Sequence, residues 1–351
     1  MHKLFLLFSF LSLSTAVLAQ EPTDSVKLVK MKAMKQRLMD SIRSERIDDA
    51  ALTYPRIRQL TITQQINTGG TIRSKLYGKD FFSGKMRTAR TSVNMNIPIV
   101  SGNKDNIVAS VGFVHQYFDL YDVTAQDPNY AIADETRNIP MFNLNLSYSR
   151  RDTLFKIPVN LTASVGSLFN PGLSKYQFRF LGVLSVPLIR RENTNLTVGV
   201  IGFIDPTSLT PVIPLISYYK RFPSSGLDLI VDLPQRIALR KTLGKRNYLG
   251  IYSEVTGYNS FFGFNETTPT LPTNLNFAQT EIKSGLLYEN RLTKKMVFSL
   301  SGGVVTMLRS RITEVGARQD KYLIDSKTGA TPFVQAGISF LPFWNPFKRK
   351  P

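Results

Sequence analysis

His115 is the residue whose type most invites a chemical reading, because His2 lies in the N-terminal leader and the mature chain then holds no other histidine. A Ser-His pair with a third orienting group would make a hydrolase. Here the serine would be Ser92 or Ser110. The alternation Ala109, Val111, Phe113, His115, Tyr117 sets the histidine on the more apolar face of its strand, away from such a partner. The sequence has no cysteine and no HExxH, so thiol chemistry and a Cys- or His-rich metal centre have no ligands. Gly69-Gly70 and Gly302-Gly303 lack the spacing of a phosphate loop. No catalytic residue, cofactor or metal is expected, and a lipid hydrolase is only the third reading. The polar side chains that could act as a group are Arg90, Asn94, Asn96, Asn143, Asn145, Gln177, Arg179, Gln279, Glu281, Lys283, Glu289 and Gln335. Alternation puts all of them on one side of a sheet. Mixed Glu and Lys on one strand, with Arg90 and Arg179, predict a charge ladder that either braces a wall or narrows a passage.

The elements that must carry these residues are strands. In 138–166, Phe142, Leu144, Leu146 and Tyr148 alternate with Asn143, Asn145, Ser147 and Ser149. A polar turn at 150–153 follows, then Ile157, Val159, Leu161, Ala163 and Val165 alternate with small polar residues. One face is oily and the other is small and polar. A soluble sandwich would bury the oily face, whereas an outer-membrane barrel turns it to lipid. The pattern recurs from Arg56 onward in about fourteen segments, with twelve as the alternative count. The uncertain place is 226–243, which is split at Leu233-Pro234-Gln235 to keep the count even. Connections alternate short and long. Short turns lie at 101–105, 150–153, 190–194, 223–225, 244–247 and 292–295. Long loops are read at 67–84, 121–138, 169–174, 205–211, 257–276 and 309–330. That sorting fits a barrel with short periplasmic turns and long outer loops.

The rest of the composition agrees. Residues 1–19 read as a signal peptide, with Lys3, an apolar run from Leu4 to Leu13 and Val17-Leu18-Ala19 before cleavage. Residues 20–55 read as a basic amphipathic helical leader in the periplasm, 56–343 as the barrel and 344–351 as a basic tail. No other stretch has the roughly 20 apolar residues of a spanning helix. An exported chain that spans a membrane without one must close a barrel. The net charge of +19 does not point to nucleic acid, because export separates the chain from it and the basic residues fall in turns. Arg150, Arg151, Arg190, Arg191, Lys245, Arg246, Lys294 and Lys295 are expected to form a periplasmic rim against anionic lipid headgroups.

Tyr54-Pro55-Arg56-Ile57-Arg58-Gln59, Val93-Asn94-Met95-Asn96-Ile97-Pro98 and the corner Asp232-Leu233-Pro234 resemble an uncharacterised family of outer-membrane β-barrels, a domain of unknown function. The resemblance covers Arg56 to the C-terminus and implies no catalytic residues. The strand count is similar to that of the long-chain fatty acid transporter barrels. The fold class expected is all-β: an up-and-down antiparallel transmembrane barrel in the cell outer membrane, after a signal peptide and a short helix. Its expected partners are outer-membrane lipid and, during insertion, the barrel-assembly machinery. Two functions compete: a porin-like passive channel or transporter for small or amphipathic solutes, and a closed barrel that serves as a scaffold. Barrels usually end on an aromatic residue, but here Phe340 is followed by Phe343, Trp344 and Phe347, so several aromatics compete for that role.

Overall fold

A computed structural model describes residues 24–102, 104–130, 132–205, 208, 210–263, 271–318 and 320–343. The stretch read as a signal peptide and the 344–351 tail, with Trp344 and Phe347, lie outside them. The chain divides into two units at Tyr54. The first is one helix, α1 (Asp24–Thr53). Asp24 is a good N-terminal residue and no proline interrupts the segment. Most of its described large apolar side chains, among them Leu28, Met31, Met34 and Leu38, are exposed, whereas Leu52 near its end is buried. They spread around the helix instead of forming one stripe, so the expected amphipathicity is weak.

The second unit is a single antiparallel sheet closed on itself. Its strands are β1 (Leu60–Leu76), β2 (Lys79–Ser101), β3 (Asp105–Ala125), β4 (Glu135–Leu154) and β5 (Ile157–Phe169). Then come β6 (Tyr176–Arg191), β7 (Thr194–Ile204), β8 (Val212–Phe222), β9 (Leu227–Leu233) and β10 (Arg236–Leu243). The last are β11 (Asn247–Phe262), β12 (Leu275–Arg291), β13 (Met296–Glu314), β14 (Ile324–Thr328) and β15 (Thr331–Phe340). From β1 to β14 each strand pairs with the next, and β13 and β1 close the ring through β15 at one end and β14 at the other. Those two short strands share one place, so fifteen strands fill fourteen positions around the ring. The split at 233–235 is observed: β9 and β10 pair across it from Asp232↔Arg236.

Two loops of the sequence reading are strand instead. The 67–84 stretch continues the β1–β2 ladder to Leu76↔Lys79, leaving only Tyr77-Gly78 as the turn. Gly78 sits there at φ 82°, a left-handed conformation that costs glycine nothing. Similarly, β13 runs to Glu314 and β14 occupies part of 309–330. The reason is common to both. These segments alternate out of step with the rest of their strands, and so look irregular in sequence. At the other end, β4 and β6 run through 150–154 and 190–191, so those arginines stand on strand ends and not in turns.

The walls differ in height. β1 to β4 hold 17, 23, 21 and 20 residues, and β11 to β13 hold 16, 17 and 19. By contrast, β7 to β10 hold 11, 11, 7 and 8. A tilted strand crosses a bilayer in about 9–11 residues. The tall strands therefore continue well past the membrane. Above Phe142, β4 has no strand on its β5 side, and above Glu254, β11 has none on its β10 side. These two edges approach each other, and Arg137 donates Nη1–H to the carbonyl of Gly263 at 2.7 Å. The result is a wide lower storey of fourteen positions and a narrower upper storey built from the tall strands.

Polarity reverses between the storeys. Below, Ile62 and Ile66 of β1 are exposed while Gln65 and Asn67 are buried. Above, Ile72 and Leu76 are buried while Arg73 and Lys75 are exposed. A register shift between Asn67 and Gly70 inserts the extra residue that flips the faces. β13 flips likewise at Leu308, the residue skipped between Met307↔Glu281 and Arg309↔Thr280.

Around the lower storey, Leu144, Val165, Phe180, Leu184, Val200, Ile251, Leu286 and Val304 are 38–59% exposed on the outside. A closed wall with an oily exterior is stable only in hydrocarbon. Leu144→Arg is accordingly expected to cost about 2–4 kcal/mol if Leu144 lies near the bilayer midplane. Urea titration of folded protein in lipid, read by gel mobility, checks this; an unchanged midpoint would mean that this face does not meet lipid.

Candidate functional site

The interior of the lower storey is built by alternation, and it is uneven. On the flank formed by β1, β2, β12 and β15, charged side chains are buried and paired. Arg58, just before β1, reaches Glu289 of β12 at 2.7 Å and the Ser339 hydroxyl at 3.0 Å. Arg90 of β2 reaches Glu281 of β12 at 3.2 Å, and their side chains are 6% and 0% exposed. The guanidinium of Arg90 also lies 3.3 Å from the ring centre of Tyr258. Gln279 Nε2 donates to Glu281 at 2.9 Å. Lys283 pairs with Glu254 at 2.9 Å and donates to Gln335 at 3.2 Å. β2 and β12 are not neighbours in the sheet, so the Arg90–Glu281 pair crosses the inside of the barrel, whereas Lys283–Glu254 joins neighbouring strands.

The asparagines lie near or opposite this flank. Asn96 Nδ2 donates to the Arg58 carbonyl at 2.8 Å, and Asn94 reaches Asn96 at 3.5 Å. The Asn143 amide lies over Gly112, so a side chain at 112 would have to displace it. Asn145 donates to Ser147 at 2.9 Å, and Ser147 shares a 2.7 Å hydrogen bond with Ser164. Gln177 Nε2 donates to Asp205 at 2.8 Å.

The predicted ladder is only partly assembled. Arg90 joins Glu281, as the spacing implied. Arg179 does not: it is exposed on β6, facing Gly166 across the ladder, on the other side of the ring. Around that second flank Asn145, Ser147, Thr162 and Ser164 remain half-buried. One side of the interior is filled and the other is open to water.

Three members of the filled flank escaped the sequence reading. Arg58 precedes the first strand and so belongs to no alternation. Tyr258 fell within an assumed loop. Glu254 alone was legible, because it shares parity with Tyr252 and Thr256. His115 sits in register with Thr91 and Pro140, on the outer face beside inward-pointing Gln116. Ser110 points the other way and donates to Asn96 at 2.7 Å. No Ser-His pair forms.

The upper storey holds a second interior, and it is apolar. Leu76, Phe81, Leu271 and Ile324 form a buried cluster with Phe82, Tyr130 and Ile312 packed on it. Beside the cluster lies a chamber of about 360 Å³, also walled by Met86, Phe118, Phe262 and Phe277. Its polar edge is Asp134, Glu135, Arg137 and Ser326.

The closed sheet, the oily belt and the polar interior define the class: a transmembrane β-barrel of the outer membrane. No protein-family model and no curated protein matches the chain. Among solved structures it is similar to an outer membrane channel from Pseudomonas putida F1, with 10% identity, 81% of this chain and 96% of that one covered, and a TM-score of 0.35. It is also similar to the translocator domain of the autotransporter NalP from Neisseria meningitidis, with 13% identity, 89% and 98% covered, and a TM-score of 0.31. The toluene transporter TodX from Pseudomonas putida gives 10% identity, 81% and 88% covered, and a TM-score of 0.30.

Proposed function

We propose that the protein is a passive channel or transporter for small or amphipathic solutes. The supporting observation is the division of the lower interior. Buried ion pairs occupy the β1–β2–β12 flank, while small polar side chains on β4 and β5 stay in contact with water. Such a lining offers hydrogen bonds without deep binding, as passage requires. Purified protein in a planar bilayer is expected to give stable ohmic steps. Ser164→Trp, which sets an indole into the wetted flank, is expected to lower the step size. Silence across many verified insertions would remove this proposal. That outcome would favour the second reading, a closed scaffold, which draws its support from the same Arg58–Glu289 and Arg90–Glu281 pairs.

A further inference from the structure

The upper chamber differs from the polar lower interior, because most of its wall is apolar. It is also more than a packing fault. Protein interiors rarely leave a void larger than a water molecule, and the cost of an apolar cavity grows with its volume. This one is a partly open pocket of about 360 Å³ among rings that contact each other edge-on, Phe81 with Phe82 at 5.4 Å and with Tyr130 at 5.3 Å. An apolar cavity of roughly 150 Å³ accepts benzene. The volume here therefore suits a molecule of about a dozen heavy atoms, at roughly 30 Å³ for each water-sized group.

The polar groups at its edge define the charge of an occupant. Asp134 already accepts the backbone N–H of Val123 at 2.9 Å. Glu135 is bound by Arg137 at 2.8 Å, and the same guanidinium holds the Gly263 carbonyl. The Ser326 hydroxyl is engaged with that of Ser74 at 2.7 Å. These charges are spent on one another and on the wall. A charged occupant would lose its water and displace one of these bonds to replace it. We infer that the chamber is a binding site for an uncharged, largely hydrocarbon molecule of this size, held above the membrane inside the upper storey. The inference rests on the transport reading only for what happens to the molecule afterwards; binding is tested by itself.

The probe is adamantane diazirine, an uncharged cage of matching size. Light expels its nitrogen and leaves a carbene that inserts into whatever it touches. The full-length mature protein in lipid nanodiscs is irradiated with it, and the labelled peptides are mapped by mass spectrometry. The oily belt at Leu144 and Val165 supplies the internal standard for probe dissolved in lipid. Peptides carrying Phe81, Met86 and Phe277 are expected to label several-fold above that belt. Excess unlabelled adamantane should suppress the chamber label and spare the belt. Met86→Trp, which fills the space, should abolish it while the heat-dependent gel shift stays intact. Label confined to the belt, or chamber label that adamantane does not displace, overturns the inference. A labelled chamber in a protein that passes no current keeps the binding site and removes transport. Current without chamber label does the reverse.

Discussion

Glu281→Ala is expected to destabilise the barrel by about 3–5 kcal/mol, the usual cost of leaving a buried charge without its partner. Arg90 is buried, and its carboxylate partner comes from a strand on the opposite side of the closing seam. Deleting the carboxylate leaves the guanidinium against the face of the Tyr258 ring, with no counter-charge from Glu281. The measurement is the urea midpoint for loss of the compact gel band, in lipid. The double variant Arg90→Met with Glu281→Met should recover most of the loss, because replacing both ions removes the unmet charge. A loss below about 1 kcal/mol in the single variant would mean that water solvates Arg90, as it does an exposed pair. Asp152→Asn is the control: its pair with Arg150 is 2.9 Å long but 41–45% exposed, and no measurable change is expected.

Phe81→Ala is expected to cost about 3–5 kcal/mol as well, but locally. Phe81 is 1% exposed, in the apolar cluster of the upper storey. The residue lies where the β1–β2 register skips from Phe82 to Asp80, so its ring is the one that the shift turns inward. The fourteen-position wall below has its own ladder and its own lipid contacts. The upper storey should open while the lower one persists. Limited proteolysis is expected to cut near Tyr77-Gly78 in the variant, whereas the compact gel band keeps its wild-type urea midpoint. Simultaneous loss of both signals would show that the storeys unfold as one unit and that their separation has no energetic meaning.

The sequence displayed the lower storey well and the upper one hardly at all. Leu144, Asn145, Leu146 and Ser147 keep one phase from end to end, and their strand was readable without structure. The β9–β10 corner was readable too, because only a split at Leu233-Pro234-Gln235 keeps the strand count even and the short and long connections alternating. Ile72, Leu76 and Phe81 were hidden by the shift at 67–70, which breaks the phase and mimics a loop. The filled flank was visible only in its strand members. Alternation gives the side on which Arg90, Glu281 and Arg179 stand, but not which distant strand curvature brings close. Arg90 and Glu281 meet because the ring closes near them, and Arg179 is left on the far side.

The extra residue in β1 has an implication for how such a protein can change. A substitution at Thr68 acts locally, and one at Gly69 pushes against Tyr121 and Arg87. Deleting either residue would rotate every following side chain by half a turn about the strand, so that Ile72 and Leu76 faced outward and Arg73 and Lys75 faced the apolar interior. At this point in β1 the chain is therefore held to a fixed count of residues.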